Sequence, residues 1–169
     1  MSFANHCKKC KSSVHCCMFR HGGFVFVTIN DIKAIKKFTK KELAYFVDNS
    51  KLPKALVEAL KHDDPSLEGA LRYSQIKNGS IRRLKTKKDG RCIFLNDCGK
   101  CDIYKIRPDV CRIFPYWAVK LTSGQIKVIS HDPCPKCSII RGQKDVEKHM
   151  TKKQIVEIKR IFKNIKKSR

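Results

Sequence analysis

Residues 90–115, GRCIFLNDCGKCDIYKIRPDVCRIFP, contain four of the ten cysteines of this 169-residue chain. Two more follow as Cys134-Pro-Lys-Cys137, whereas residues 21–91 contain none. The other four lie near the start, as Cys7-x2-Cys10-x5-Cys16-Cys17. Cysteines grouped in this way at both ends of a scaffold predict a small domain whose two ends are held together by what the thiols bind.

Composition indicates one small domain whose thiols stay reduced. Apolar residues make up 41% of the chain, which is enough for a modest core. The start has no apolar signal region, and the longest apolar run, residues 24–29, is too short to cross a bilayer. We therefore expect a cytoplasmic protein with no membrane partner. In that compartment clustered cysteines indicate metal or redox chemistry rather than disulfides. Intracellular proteins of hyperthermophiles do contain disulfides, and this alternative stays open.

Local patterns predict an α+β fold with a helical scaffold in the cysteine-free stretch. Asn30 is a suitable N-cap for a first helix. Thr39 and Glu42 have the spacing of a capping box before a second helix, and Pro53 suits the first position of a third. The expected apolar face of the first helix consists of Ile32, Ile35 and Phe38.

Two hairpins are expected on either side of the densest cysteine group. Asn78-Gly79 separates two strand-like runs, residues 73–77 and 80–84, which is a strong hairpin signal. A second hairpin is predicted from Trp117 to Ser130, with its turn at residues 122–124.

The last segment predicts a basic amphipathic helix. Thr151 and Gln154 form a capping pattern. Apolar residues then recur every three or four positions, with basic residues on the other side. Such a helix either docks on the core or stays exposed. We therefore divide the chain into a cysteine-cluster domain, residues 1–150, and a C-terminal helix, residues 151–169.

The charge balance leaves two interpretations open, an anionic partner or a solvated basic surface. The chain has 38 basic and 15 acidic side chains and a formal net charge of +23. A field of this sign attracts polyanions such as nucleic acid. The alternative is a solvated lysine surface that anionic metal–thiolate centres partly neutralise. The sequence does not define an oligomeric state.

The cysteine spacing is typical of metal sites. Two thiolates separated by two residues reach one ion from a tight turn, in zinc sites and in iron–sulfur sites alike. Adjacent Cys16 and Cys17 point different ways, so they suit two centres, or one centre and the core. A thioredoxin-like dithiol needs its pair between a strand and the start of a helix. Of the three Cys-x-x-Cys pairs only the one at Cys134 follows a plausible strand, and no convincing helix starts there, so this reading is disfavoured. The chain also lacks the radical-enzyme spacing and the glycine-rich nucleotide motifs.

Taken in order, these motifs resemble the YkgJ-type cysteine-cluster family of zinc- or iron-chelating domains. The resemblance rests on the N-terminal cysteine group, residues 23–32, residues 90–95 and residues 101–115. It implies eight metal ligands: Cys7, Cys10, Cys16, Cys17, Cys92, Cys101, Cys111 and Cys134. Cys98 and Cys137 are additions to the family pattern, and Cys134-Pro-Lys-Cys137 departs from the family's usual Cys-Pro-Gly.

The resemblance implies a metal-binding protein that holds a [4Fe-4S] cluster or zinc. Cationic side chains beside the ligands would offset the charge of the thiolates, and we expect this of Arg91, Arg107, Arg112, Lys9, Lys100 and Lys136. Some relatives are associated with lysine N-methylation of flagellin, so a cluster-dependent protein-modifying enzyme is one alternative, although no S-adenosylmethionine site is identified. Another is a metal-stabilised nucleic-acid-binding module that uses the helix from Thr151.

Overall fold

The structure is a computed structural model that describes residues 17, 25–49, 51, 54, 58, 80–114, 116–120, 123–130, 147 and 150–167. In chain order its elements are helix α1 (Ile29–Thr39), helix α2 (Leu43–Phe46), strand β1 (Val47–Asp48), strand β2 (Arg83–Leu84), a 3-10 turn (Tyr104–Ile106), helix α3 (Asp109–Ile113), strand β3 (Tyr116–Lys120), strand β4 (Ile126–Ser130) and helix α4 (Lys152–Lys167). Helices combined with short antiparallel sheets confirm the α+β class.

Helix α1 is capped by Thr28, so the prediction of Asn30 as the cap is wrong. The Thr28 hydroxyl accepts a hydrogen bond from the backbone N–H of Asp31 at 3.1 Å, and the Asp31 carboxylate accepts one from the backbone N–H of Thr28 at 2.8 Å. This reciprocal box satisfies donors that a helix start leaves open. Ile35 is fully buried, but Phe38 is 51% exposed, so the apolar face of α1 is narrower than predicted.

The predicted capping box of Thr39 and Glu42 is also wrong. The Thr39 hydroxyl donates to the carbonyl of Ile35 at 2.8 Å, within the last turn of α1. The helix ends at Lys40, whose φ of 57° turns the chain into α2. Glu42 precedes α2 without a side-chain cap, and its carboxylate instead binds the Lys36 ammonium at 3.0 Å.

Strand β2 is paired on both sides. Val47 of β1 lies opposite Leu84 in an antiparallel ladder, and on the other side the N–H of Leu84 donates to the carbonyl of Val25 at 2.9 Å. The first arm and the turn of the hairpin expected at Asn78-Gly79 lie outside the described residues, as do Pro53 and most of the helix expected after it, of which Lys54 and Glu58 are described and helical. Both stay predictions.

Strands β3 and β4 form an antiparallel pair from Tyr116 opposite Ser130 to Lys120 opposite Ile126. They occupy the segment in which the sequence predicts the second hairpin. Near the connection, Gly124 has a φ of +82°, a value that side chains with a Cβ rarely adopt.

Helix α4 docks on these strands and on α3. Thr151 and Gln154 cap it as predicted, with the N–H of Thr151 donating to Gln154 Oε1 at 2.9 Å and the N–H of Gln154 donating to Thr151 Oγ1 at 3.3 Å. Apolar residues of these four elements form the second core: Ile113, Ala118, Val128, Ile158, Ile161 and Phe162. The domain boundary at residue 150 stays a prediction.

The first core lies between α1, the two-sided strand β2 and the residues that follow it. Its buried members are Val27, Ile35, Phe46, Val47, Leu84, Cys92, Phe94, Leu95 and Ile103. Within the described ranges, no helix has the length and apolar character needed to cross a bilayer.

Asp31 connects the parts of the fold that carry the two cores. Its side chain is buried. Oδ1 accepts a hydrogen bond from the backbone N–H of Asp109 at 3.1 Å, and Oδ2 accepts one from the hydroxyl of Thr28, the cap residue of α1. One carboxylate therefore satisfies backbone donors at the start of both α1 and α3.

Replacing Asp31 by alanine should lower the free energy of unfolding by about 2 kcal/mol, since it removes a cap and leaves N–H groups unpaired. Chemical denaturation of the purified protein measures this change. The control is Asp97→Ala, because Asp97 is almost fully exposed and its contact with Arg91 is at the surface. We expect that variant to stay within about 0.5 kcal/mol of the parent. Equal losses in the two variants would contradict the anchoring role of Asp31.

Candidate metal centre

Two successive tight turns position the central cysteines. In the first, the N–H of Ile93 donates to the carbonyl of Lys85 at 3.0 Å, and that of Lys87 donates to the carbonyl of Arg91 at 2.7 Å. Gly90 has a φ of +81° and lets the chain reverse there. Cys92 lies at the end of the returning arm, where it bridges to Thr86.

The second turn places Cys101 in the same way. The N–H of Asn96 donates to the carbonyl of Lys100 at 2.9 Å, and Leu95 forms a bridge with Cys101. The Asn96 side chain accepts the N–H of Lys100 at 2.8 Å and donates to the Asp102 carboxylate at 2.9 Å, which fixes the turn.

Backbone N–H groups point at the sulfur atoms of both cysteines. Cys92 sulfur accepts from Phe94 and Leu95, and Cys101 sulfur accepts from Ile103. These bonds favour the thiolate, but burial outweighs them: it raises the pKa of Cys92 to about 11 and also raises the pKa of Cys101.

Two further cysteines come to the same place from distant parts of the chain. The carbonyl of Cys17 accepts the N–H of Cys92 at 2.7 Å, and Cys17 packs against the first core. Cys111 lies on α3. Burial raises its pKa well above the usual value, and the nearby thiols of Cys17, Cys92 and Cys101 raise it further. The four thiols therefore lie in one region of the fold, close enough for their charges to act on Cys111.

Two cations accompany this group. Arg107 stacks its guanidinium on the Tyr104 ring, 4.2 Å from the ring centre, and its charge acts to lower the pKa of Cys101 and of Cys111. Lys87 acts in the same direction on Cys92, while its ammonium donates to the carbonyl of Leu95 at 2.7 Å.

Of the predicted cations, Arg107 lies beside the thiols, whereas Arg91 and Arg112 have carboxylate partners. Arg91 binds Asp89 and Asp97, and Arg112 binds Asp109 at 3.2 Å and Glu157 at 3.3 Å. Sequence reasoning missed Lys87. It does not adjoin a cysteine, and only the pairing of Lys87 with Arg91 across the Gly90 turn signals its approach to Cys92.

The structure thus brings together four of the eight predicted ligands: Cys17, Cys92, Cys101 and Cys111. The other four lie outside the described residues: Cys7, Cys10, Cys16 and Cys134. Cys137 is also outside them, and Cys98 is exposed at the second turn. The five described cysteines are free thiols. Within the described ranges, no three Cys, His, Asp or Glu side chains are already arranged as a metal-binding group.

Comparison with known proteins identifies the family of this chain. The chain belongs to the CxxCxxCC family, described as a "putative zinc- or iron-chelating domain", whose family model matches residues 6–155. This confirms the family resemblance seen in the sequence and supports metal binding.

One similar protein is uncharacterized protein MJ0661 of Methanocaldococcus jannaschii, 39% identical over 89 residues. The match covers 52% of this chain and 41% of that protein, so the chain spans well under half the length of this relative. No solved structure gives a significant match.

Burial predicts unequal reactivity of the thiols in reduced, metal-free protein. Cys98 should react with iodoacetamide at least about tenfold faster than Cys92 or Cys111, because it is exposed and their raised pKa values leave little thiolate. Peptide mass spectrometry over a time course measures each site. The unfolded protein in guanidinium is the control, and there the three rates should converge. Equal rates in the folded protein would contradict the burial described.

Proposed function

We propose that this protein binds zinc or a [4Fe-4S] cluster and that Cys17, Cys92, Cys101 and Cys111 are ligands of one centre. The observation that carries the proposal is the set of backbone N–H groups directed at the sulfur atoms of Cys92 and Cys101. Hydrogen bonds of this kind stabilise sulfur that bears negative charge, as metal-bound thiolate does.

A role as ordinary core residues explains this group less well. A buried cysteine that only fills space behaves as a small apolar residue and needs no donors at its sulfur. Here Cys92 and Cys101 have N–H donors at sulfur, Lys87 acts on Cys92, Arg107 acts on Cys101 and Cys111, and the charges of three other thiols act on Cys111. Burial keeps the metal-free thiols protonated, so a metal ion is the partner that would draw off their protons and bring the sulfur atoms together.

The chemistry of the donors fits either metal. Four thiolates complete a structural zinc site, and four also hold an iron–sulfur cluster. The remaining proposed ligands would supply a second centre or share the first: Cys7, Cys10, Cys16 and Cys134. Cys98, exposed at its turn, is left out of the set.

Loss of single ligands tests the proposal. After anaerobic purification, Cys92→Ser and Cys111→Ser should each carry less metal than the parent, measured by elemental analysis of zinc and iron. Cys98→Ser is the matched control and should retain the parental content. Visible absorption then distinguishes an iron–sulfur cluster, which is coloured, from zinc, which is not. A parent protein that is folded but free of stoichiometric metal would overturn the proposal.

The cation beside the thiols gives a second test. Replacing Arg107 by glutamine should weaken metal retention by about tenfold or more, as the loss of partners around metal ligands commonly does. Competition with a chelator measures this retention. Arg91→Gln is the control, since the Arg91 guanidinium binds Asp89 and Asp97. Equal retention by the two variants would contradict a role for Arg107 at the centre.

A further inference from the structure

An exposed basic and aromatic surface lies where α1 turns into α2. We define the α1–α2 corner by its six exposed side chains: Lys33, Lys37, Phe38, Lys40, Lys41 and Tyr45. Phe38 is 51% exposed and Tyr45 is 44% exposed. Of the four large apolar side chains that stand exposed among the described residues, three fall within residues 38–45.

The charge of this corner is strongly one-sided. Residues 33–45 contain five lysines and a single acidic residue, Glu42, whose carboxylate is already bound by Lys36. Lys33 precedes Lys37 by one helical turn, an arrangement of like charges that disfavours the isolated helix. Lys85 adds another ammonium beside α2, where it donates to the carbonyl of Ala44 at 2.6 Å.

One of the two aromatic rings, that of Tyr45, is held next to a cation. The Lys41 ammonium lies over the Tyr45 ring, 3.5 Å from its centre. Phe38 extends from the last turns of α1, just before the left-handed Lys40. Lysines that meet phosphates and exposed rings on which bases stack are the two elements that non-specific single-strand binding requires.

We propose that the α1–α2 corner binds single-stranded nucleic acid, with Phe38 and Tyr45 stacking on unpaired bases and the surrounding lysines contacting phosphates. This surface is separate from the thiol group, because the inner face of α1, with Ile35, packs in the first core.

Helix α4 fits this role less well. Its cations are partly engaged by carboxylates: Lys159 binds Glu147 at 3.1 Å, and Glu157 binds both Arg160 and Arg112. Its apolar side faces the second core, and among the large apolar side chains only Val156 is exposed in the described part of this helix. It therefore presents charge without an exposed ring.

An anionic membrane surface also fits the corner less well. A helix that lies in the membrane interface needs a continuous apolar face, and the apolar face of α1 is buried in the protein. Its exposed side carries lysines and one aromatic residue.

The test uses the full-length, metal-loaded protein and a fluorescent single-stranded oligouridylate, with binding followed by anisotropy over a range of salt concentrations. The corner variant is Lys33→Gln, Lys37→Gln and Lys41→Gln combined. Its plot of log affinity against log salt should be shallower than that of the parent by about 2, because three phosphate contacts are lost. The matched control combines Lys152→Gln, Lys153→Gln and Lys163→Gln on α4, and it should keep most of the parental slope.

A second pair of variants tests stacking. Phe38→Leu with Tyr45→Leu keeps apolar side chains but removes the rings, and it should weaken oligouridylate binding by about tenfold. Thermal unfolding checks that the fold is intact, which exposed positions allow. Vesicles of phosphatidylcholine and phosphatidylserine are the second ligand tested, because they represent the alternative of an anionic membrane surface. Any of three results overturns the proposal. The parent does not bind the oligonucleotide, or the salt slopes of the corner and α4 variants fall by the same amount. The third is a leucine variant that binds oligonucleotide and vesicles as the parent does.

Discussion

A single buried carboxylate orients the two halves of this fold. Asp31 closes the cap of α1 with one oxygen and receives the N–H of Asp109 with the other. Asp109 begins α3, and Cys111 follows two residues later, so the carboxylate helps to determine where this cysteine meets the first core. The arrangement has a cost, since burial and the charge of Asp31 together raise the pKa of Asp109. Arg112 offsets part of it through an ion pair with Asp109.

From that anchor, backbone geometry rather than side-chain packing organises the thiols. Cys92 and Cys101 follow two turns of similar design, each with a glycine at positive φ and each delivering N–H groups to sulfur. Burial keeps the thiols protonated while the donors and Arg107 favour their ionised form. These opposing influences are what the proposed function requires of thiols that give up their protons when a metal ion binds.

Where the sequence succeeded, the deciding interactions were local. The Thr151–Gln154 cap needs only four residues. The selection of Cys92, Cys101 and Cys111 as ligands came from the family resemblance, and it stays a prediction. The prediction from sequence failed for the start of α1, because Thr28, Asn30 and Asp31 are all residue types that cap helices well. What favours Thr28 is that Asp31 completes a capping box three residues later, a local pattern that the sequence prediction overlooked. The further contact of Asp31 with Asp109 spans 78 positions, and no local pattern contains it. Lys87 was missed for a related reason, since a turn rather than adjacency brings it to Cys92.

The distribution of charge relates the two proposed activities. Carboxylates bind two cations of α4, Lys159 and Arg160, whereas the lysines of the α1–α2 corner greatly outnumber their one acidic neighbour. Helix α1 contributes Ile35 to the core that contains Cys92, while its outer side carries Lys33 and Lys37. The thiol group and the basic surface thus share one helix but use opposite faces. A metal that orders the first core would hold this helix in place, which gives the metal a structural part in presenting the basic surface even if it has no contact with the nucleic acid.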